Sequence, residues 1–154
     1  MWLTDWYKKR RAAHPVAERR LRILIVRVPL TDLFLLERLA KQQAWDVRST
    51  TSSREGFRLA SQSHFELILC DCNQAEYHWR GVIERLAASS PRSCILLVSP
   101  VSDDYLRRDV LQQGGHDVLV RPFREESTLH SVKAASRFVS SGNGVSVGCS
   151  VSVT

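Results

Sequence analysis

Phe65-Glu66-Leu67-Ile68-Leu69-Cys70-Asp71 is the stretch on which the fold turns. Residues 67–70 are apolar without a break, so neither face of a strand built from them is left for water. A half-wet strand alternates; an unbroken apolar run belongs to a strand covered on both sides, as in a parallel sheet packed between helices. The run then stops at a carboxylate. In open parallel sheets, ligands and chemistry collect at the carboxyl ends of the strands, which makes Asp71 the first residue to question.

Working outward, the same alternation recurs. Residues 21–26 (LRILIV) and 94–98 (CILLV) are further buried-strand runs, and residues 45–50 and 117–120 are short strands. Between them lie segments of helical period. In residues 32–43, Leu36, Leu39, Ala40 and Gln43 share a face that Phe34 and Leu35 widen, with Thr31 after Pro29 as the expected N-cap. Ser52 with Glu55 three residues on has the form of a capping box, opening a helix to about residue 62. Helices are also expected over about 79–88, over 103–113 before Gly114-Gly115, and over 124–138 with Glu125 and Glu126 in its first turn. Strand then helix, five times, predicts an α/β, doubly wound parallel sheet with right-handed crossovers. The residues just after its strands are Arg27 and Val28, Asp71 and Asn73, Ser99 and Pro100, and Arg121 and Pro122.

The 154 residues make one domain's worth, enough to bury a core without disulfide or metal staples. With 44% hydrophobic and 25% charged residues, a disordered polyelectrolyte and a disulfide scaffold are excluded. Cys70, Cys72, Cys94 and Cys149 are unevenly spaced and suit a reducing, cytoplasmic setting. No apolar run approaches a membrane span, and no apolar stretch follows Lys8-Lys9-Arg10-Arg11 as a signal peptide would require. The net charge of +6 is uneven: residues 1–22 carry seven basic and two acidic residues, leaving the rest nearly neutral. The expected organisation is a basic extension over 1–20 with Trp2, Leu3, Trp6 and Tyr7, a domain over 21–138, and a Gly/Ser/Val-rich tail over 139–154. About 15 tail residues leave no room for a separate output domain, so output is expected through surfaces of the one domain.

At the strand ends the chain resembles a known family. Phe65 to Asp71 looks like the strand that ends in the phosphoacceptor aspartate of response-regulator receiver domains, Ile95-Leu96-Leu97-Val98-Ser99 like the strand that delivers their switch hydroxyl, and Leu119-Val120-Arg121-Pro122-Phe123 like their Lys-Pro-Phe signature. Gly114-Gly115-His116-Asp117 stands in place of Gly-Ala-Asp-Asp. The resemblance covers about three-quarters of the chain. It implies a flavodoxin-like (βα)5 fold with a five-stranded sheet, a phosphoacceptor position at Asp71, a switch hydroxyl at Ser99, a phosphate contact at Arg121 and a cis peptide bond at Pro122.

The departures are as informative. The family keeps an acidic pair after its first strand to hold Mg²⁺ with the acceptor; here Arg27 and Val28 stand there. The lysine position is Arg121, the aromatic switch position is Val118, and the loop after the acceptor reads Cys72-Asn73-Gln74-Ala75, with His78-Trp79 later. Phosphoryl transfer to a carboxylate brings two anions together, and a cation normally neutralises them. Mg²⁺ wants hard oxygen ligands, and Asp71 with Asn73 makes a poor set beside an arginine. Arg27 is instead expected to pair with Asp71 in the metal's place. A planar guanidinium at 121 does not reproduce a compact ammonium. The expectation is a degenerate, stand-alone receiver, or pseudo-receiver, with weak or no phosphorylation and no cofactor, Mg²⁺ entering only if phosphorylation is retained.

Other chemistries are weaker. Cys70 and Cys72 straddle Asp71, but Cys-x-Cys on a strand is not a zinc spacing even with His64 and His78 nearby in sequence. No Gly-rich phosphate loop follows the first strand, and no catalytic triad or carboxylate pair stands out, so enzyme activity is not expected. The expected partner is a protein, either a sensor kinase or a downstream effector, or a second copy, bound through the fourth helix, fifth strand and fifth helix (residues 103–113 and 124–138). Two alternatives stay open. One is a receiver that still takes phosphate on Asp71; the other is a nucleic-acid or membrane-surface adaptor acting through the basic extension.

Overall fold

Five parallel strands stand in the order β2-β1-β3-β4-β5 in the computed structural model, which describes residues 20–73 and 77–140. They are β1 (Arg22–Val26), β2 (Asp46–Thr50), β3 (Leu67–Asp71), β4 (Cys94–Ser99) and β5 (Asp117–Val120). The helices are α1 (Leu30–Gln43), α2 (Ser53–Gln62), α3 (Trp79–Ser89), α4 (Asp104–Gln112) and α5 (Glu125–Ser140). This is the flavodoxin-like (βα)5 sheet expected from the alternation of strand and helix. Residues 1–19, 74–76 and 141–154 lie outside the description, and with them most of the basic extension, most of the tail, and Gln74 and Ala75.

The unbroken apolar runs are explained by the layers. Alternate residues of β1, β3 and β4 face opposite ways. Leu24, Val26, Ile68, Cys70, Ile95 and Leu97 pack with Phe57 and Leu59 of α2, Val82, Ile83 and Leu86 of α3 and Val110 of α4. Ile23, Ile25, Leu67, Leu69, Leu96 and Val98 pack on the other face with Leu36 of α1 and Val132 and Ala135 of α5. β3 is central and buried at every residue, whereas edge strand β2 is mostly exposed. Each fully buried Leu or Ile contributes about 1.5–3 kcal/mol, so β3 with its two neighbours anchors the domain.

Ends of elements differ from expectation in instructive ways. α1 begins at Leu30 with Pro29 as its N-cap residue, not with Thr31, and no side chain caps it. Proline already holds φ near the value a helix entry needs, and its carbonyl accepts from Leu33 N–H at 2.9 Å. Ser52 does cap α2, accepting from Glu55 N–H at 3.3 Å. The reciprocal half of the capping box is missing, since the Glu55 carboxylate is taken by Arg58 and Ser52 N–H finds Thr50 Oγ1. α4 ends before Gly114, whose φ of +98° suits glycine.

Candidate functional site

The parallel register brings the carboxyl ends of β3, β4 and β5 together. Asp71 lies beside Val98 and Ser99 beside Val120. Backbone bonds continue past the strands: Cys72 N–H donates to Val98 O at 2.8 Å, and Arg121 N–H to Ser99 O at 2.9 Å. Asp71 and Ser99 are each only 3% exposed. Ser99 Oγ accepts from Val101 N–H at 3.2 Å, so the hydroxyl is held at the start of the next loop. The Arg121–Pro122 peptide bond is cis.

Arg121 does not stand alone. Its Nε donates to Asp32 Oδ2 at 2.7 Å, and Asp32 Oδ1 accepts from the buried backbone N–H of Phe123 at 2.9 Å. One carboxylate in the first turn of α1 therefore holds the chain on both sides of Pro122. Asp32 is 4% exposed, and a buried carboxylate persists only when paired and hydrogen-bonded. The bond to Asp32 holds Arg121 firmly protonated, with Asp71 adding to the effect from further off.

The expected pairing of Arg27 with Asp71 is not what the structure has. Arg27 adopts φ 60°, and its own N–H donates to Thr50 O at 2.8 Å. That left-handed turn carries the side chain towards β2, where Nη1 donates to Thr51 O at 2.8 Å. Among the described residues, the Arg121 charge is the one that acts on Asp71. Burial pushes the Asp71 carboxyl above its ordinary range; the Arg121 charge and the backbone N–H groups of Asn73 and Cys72 oppose this, and Asp32 adds to it. Val28 packs against the α1 and α5 side of the core. Asn73 is exposed. Burial, then the Asp71 charge, raises the Cys72 thiol, and burial raises Cys70 as well, so neither is poised as a nucleophile.

Among the described residues no group of three His, Cys, Asp or Glu side chains could hold a metal ion. Asp71 offers one carboxylate at the end of β3, Arg27 follows the end of β1, and Asp32 is bonded to Arg121. Asp32 is also the site residue that sequence reasoning missed. The signal was present: Asp32 lies four residues before Leu36 on the apolar stripe of α1, and an acid on a buried stripe needs a cation.

The sequence profile of the response regulator receiver domain matches residues 28–133, and this chain belongs to that family. It is thus a receiver domain of two-component signalling, a class of module that works through kinases and effectors. The transcriptional regulatory protein ZraR of Escherichia coli K12 is 24% identical over 100 residues, covering 65% of this chain and 23% of that protein. Its counterpart from Salmonella typhimurium LT2 is 25% identical over 118 residues, covering 75% and 27%. The chain spans about a quarter of the length of these curated relatives. Among solved structures, the signal receiver domain of an HD domain-containing protein from Pseudomonas fluorescens Pf-5 aligns with TM-score 0.74 at 16% identity, covering 84% of this chain and 96% of that one. A CheY-like receiver from Methanospirillum hungatei JF-1 gives 0.72 at 17%, covering 80% and 98%; both likenesses concern the fold. Among the described residues no helix is long and apolar enough to cross a membrane.

Proposed function

We propose that this chain is an atypical receiver that acts through protein–protein contacts, with weak or no phosphorylation of Asp71. One observation carries the reading: the cation beside the acceptor is already engaged, because Arg121 is bonded to Asp32, while an arginine stands where an acid would help hold Mg²⁺. A phosphoryl group on Asp71 would meet a buried carboxylate with little to neutralise the added charge.

The α4 and β5 side supports a protein partner or a second copy. Tyr105 on α4 is 78% exposed, and Val101, Leu111 and Val120 are exposed with it, the last on edge strand β5. Apolar groups at an open sheet edge suit association. The test is incubation of the full chain with acetyl phosphate, with and without Mg²⁺, read by intact mass. Little or no added phosphoryl group is expected. Stoichiometric, Mg²⁺-dependent modification lost in Asp71→Asn would return the chain to the ordinary phosphorylated receivers.

A further inference from the structure

Arg121 answers to two acids. Its Nε is bonded to Asp32 at 2.7 Å, and the charge of Asp71 reaches it from the end of β3. Asp32 has far less freedom than Arg121: the acid side chain is 5% exposed and the arginine 28%. A phosphoryl group arriving on Asp71 needs the guanidinium charge, yet whatever Arg121 gives to it is withdrawn from a carboxylate that is almost wholly buried. Arg27 does not relieve the conflict, because its Nη1 donates to Thr51 O at 2.8 Å. The other oxygen of the same carboxylate accepts from Phe123 N–H, so Asp32 stays anchored whether or not it holds Arg121.

Building on the reading of a weak receiver, we propose that Asp32 is an internal competitor for Arg121, the positioning residue that sets how readily the acceptor site takes a phosphoryl group. It acts through Arg121 and does not touch the acceptor's reacting oxygen. Neutralising it frees the guanidinium to face Asp71 and raises phosphoryl uptake.

The experiment compares wild type, Asp32→Asn and Asp32→Asn/Arg121→Gln in the full chain with acetyl phosphate and Mg²⁺. In the reaction an Asp71 carboxylate oxygen attacks phosphorus, the P–O bond to acetate breaks, and acetate leaves with the electron pair. Uptake on Asp71 is expected to rise at least tenfold in Asp32→Asn and to fall back in the double variant. The second arm matters because deleting any negative charge near Asp71 favours an incoming anion; only a gain that depends on Arg121 is competition. Unchanged uptake in a folded Asp32→Asn protein, or a gain that survives Arg121→Gln, overturns the proposal. Should Asp32→Asn fail to fold, Asp32→Ser, a smaller neutral polar side chain, makes the same comparison. Stoichiometric labelling of wild type would sink the weak-receiver reading alone. The competition is then read in the rate of labelling, expected tenfold faster in Asp32→Asn, and equal rates overturn it.

Discussion

Replacing Asp32 with alanine removes two bonds at once, and the structure sets the scale of the loss. The charge-assisted bond to Arg121 Nε is of a kind worth about 1.5–3 kcal/mol, and stranding the buried Phe123 N–H costs about 1–3 kcal/mol. Two effects reduce the sum: the Arg121 side chain is 28% exposed and can rehydrate, and the variant no longer buries a carboxylate. A net loss of about 2–4 kcal/mol is expected. Arg121→Gln should cost at least as much, because it leaves Asp32 charged, buried and without its cation. The double variant should then be more stable than the two single losses imply, with a coupling energy of about 1–3 kcal/mol. Urea unfolding followed by far-UV circular dichroism measures all three. A loss below about 0.5 kcal/mol for Asp32→Ala, or a coupling energy near zero, would show that the bond seen between α1 and the β5–α5 turn is not one the folded protein depends on.

Two further outcomes follow from the same structure. Because burial raises the Asp71 carboxyl in the folded chain, the native state binds more protons than the unfolded one between the ordinary carboxylate value of about 3.9 and the raised value. Stability from this group therefore falls as pH rises through that window, so Asp71→Asn should be more stable than wild type at pH ~7, with the gap closing towards pH ~4. A gap that stays constant with pH in thermal unfolding refutes this. The glycines of α2 and α3 should respond in opposite senses: a Cβ on Gly56 would meet Val26 Cγ2 at 2.9 Å, whereas one on Gly81 meets nothing within 4 Å. Gly56→Ala should lose about 1–3 kcal/mol by overpacking and Gly81→Ala gain about 0.5–1 kcal/mol from helix propensity; equal effects of the two in urea unfolding would contradict the close approach of α2 to β1.

Composition and periodicity alone determined the layers. The unbroken run Leu67-Ile68-Leu69-Cys70 requires cover on both faces, and with similar runs in β1 and β4, two shorter strands and helix-length segments between all five, it leaves little choice but a doubly wound sheet. The strand ends, and so the positions of Asp71, Ser99 and Arg121 along the chain, follow because each apolar run stops where its strand does. Cap chemistry was half legible: Ser52 behaves as its type suggests, while Pro29 takes the role given to Thr31 because a fixed φ outweighs a side-chain acceptor there.

What tertiary structure alone decided is which charges meet. Arg27 and Asp71 are close along the logic of the fold, yet one backbone residue at φ 60° sends the arginine to Thr51. Asp32 and Arg121 are 89 residues apart and carry no motif between them, yet the packing of α1 against the turn after β5 joins them. Hydrophobic patterning is written in neighbours three or four residues away, so a sequence displays it openly. An ion pair across the chain depends on a direction in space, and only the packed structure supplies that.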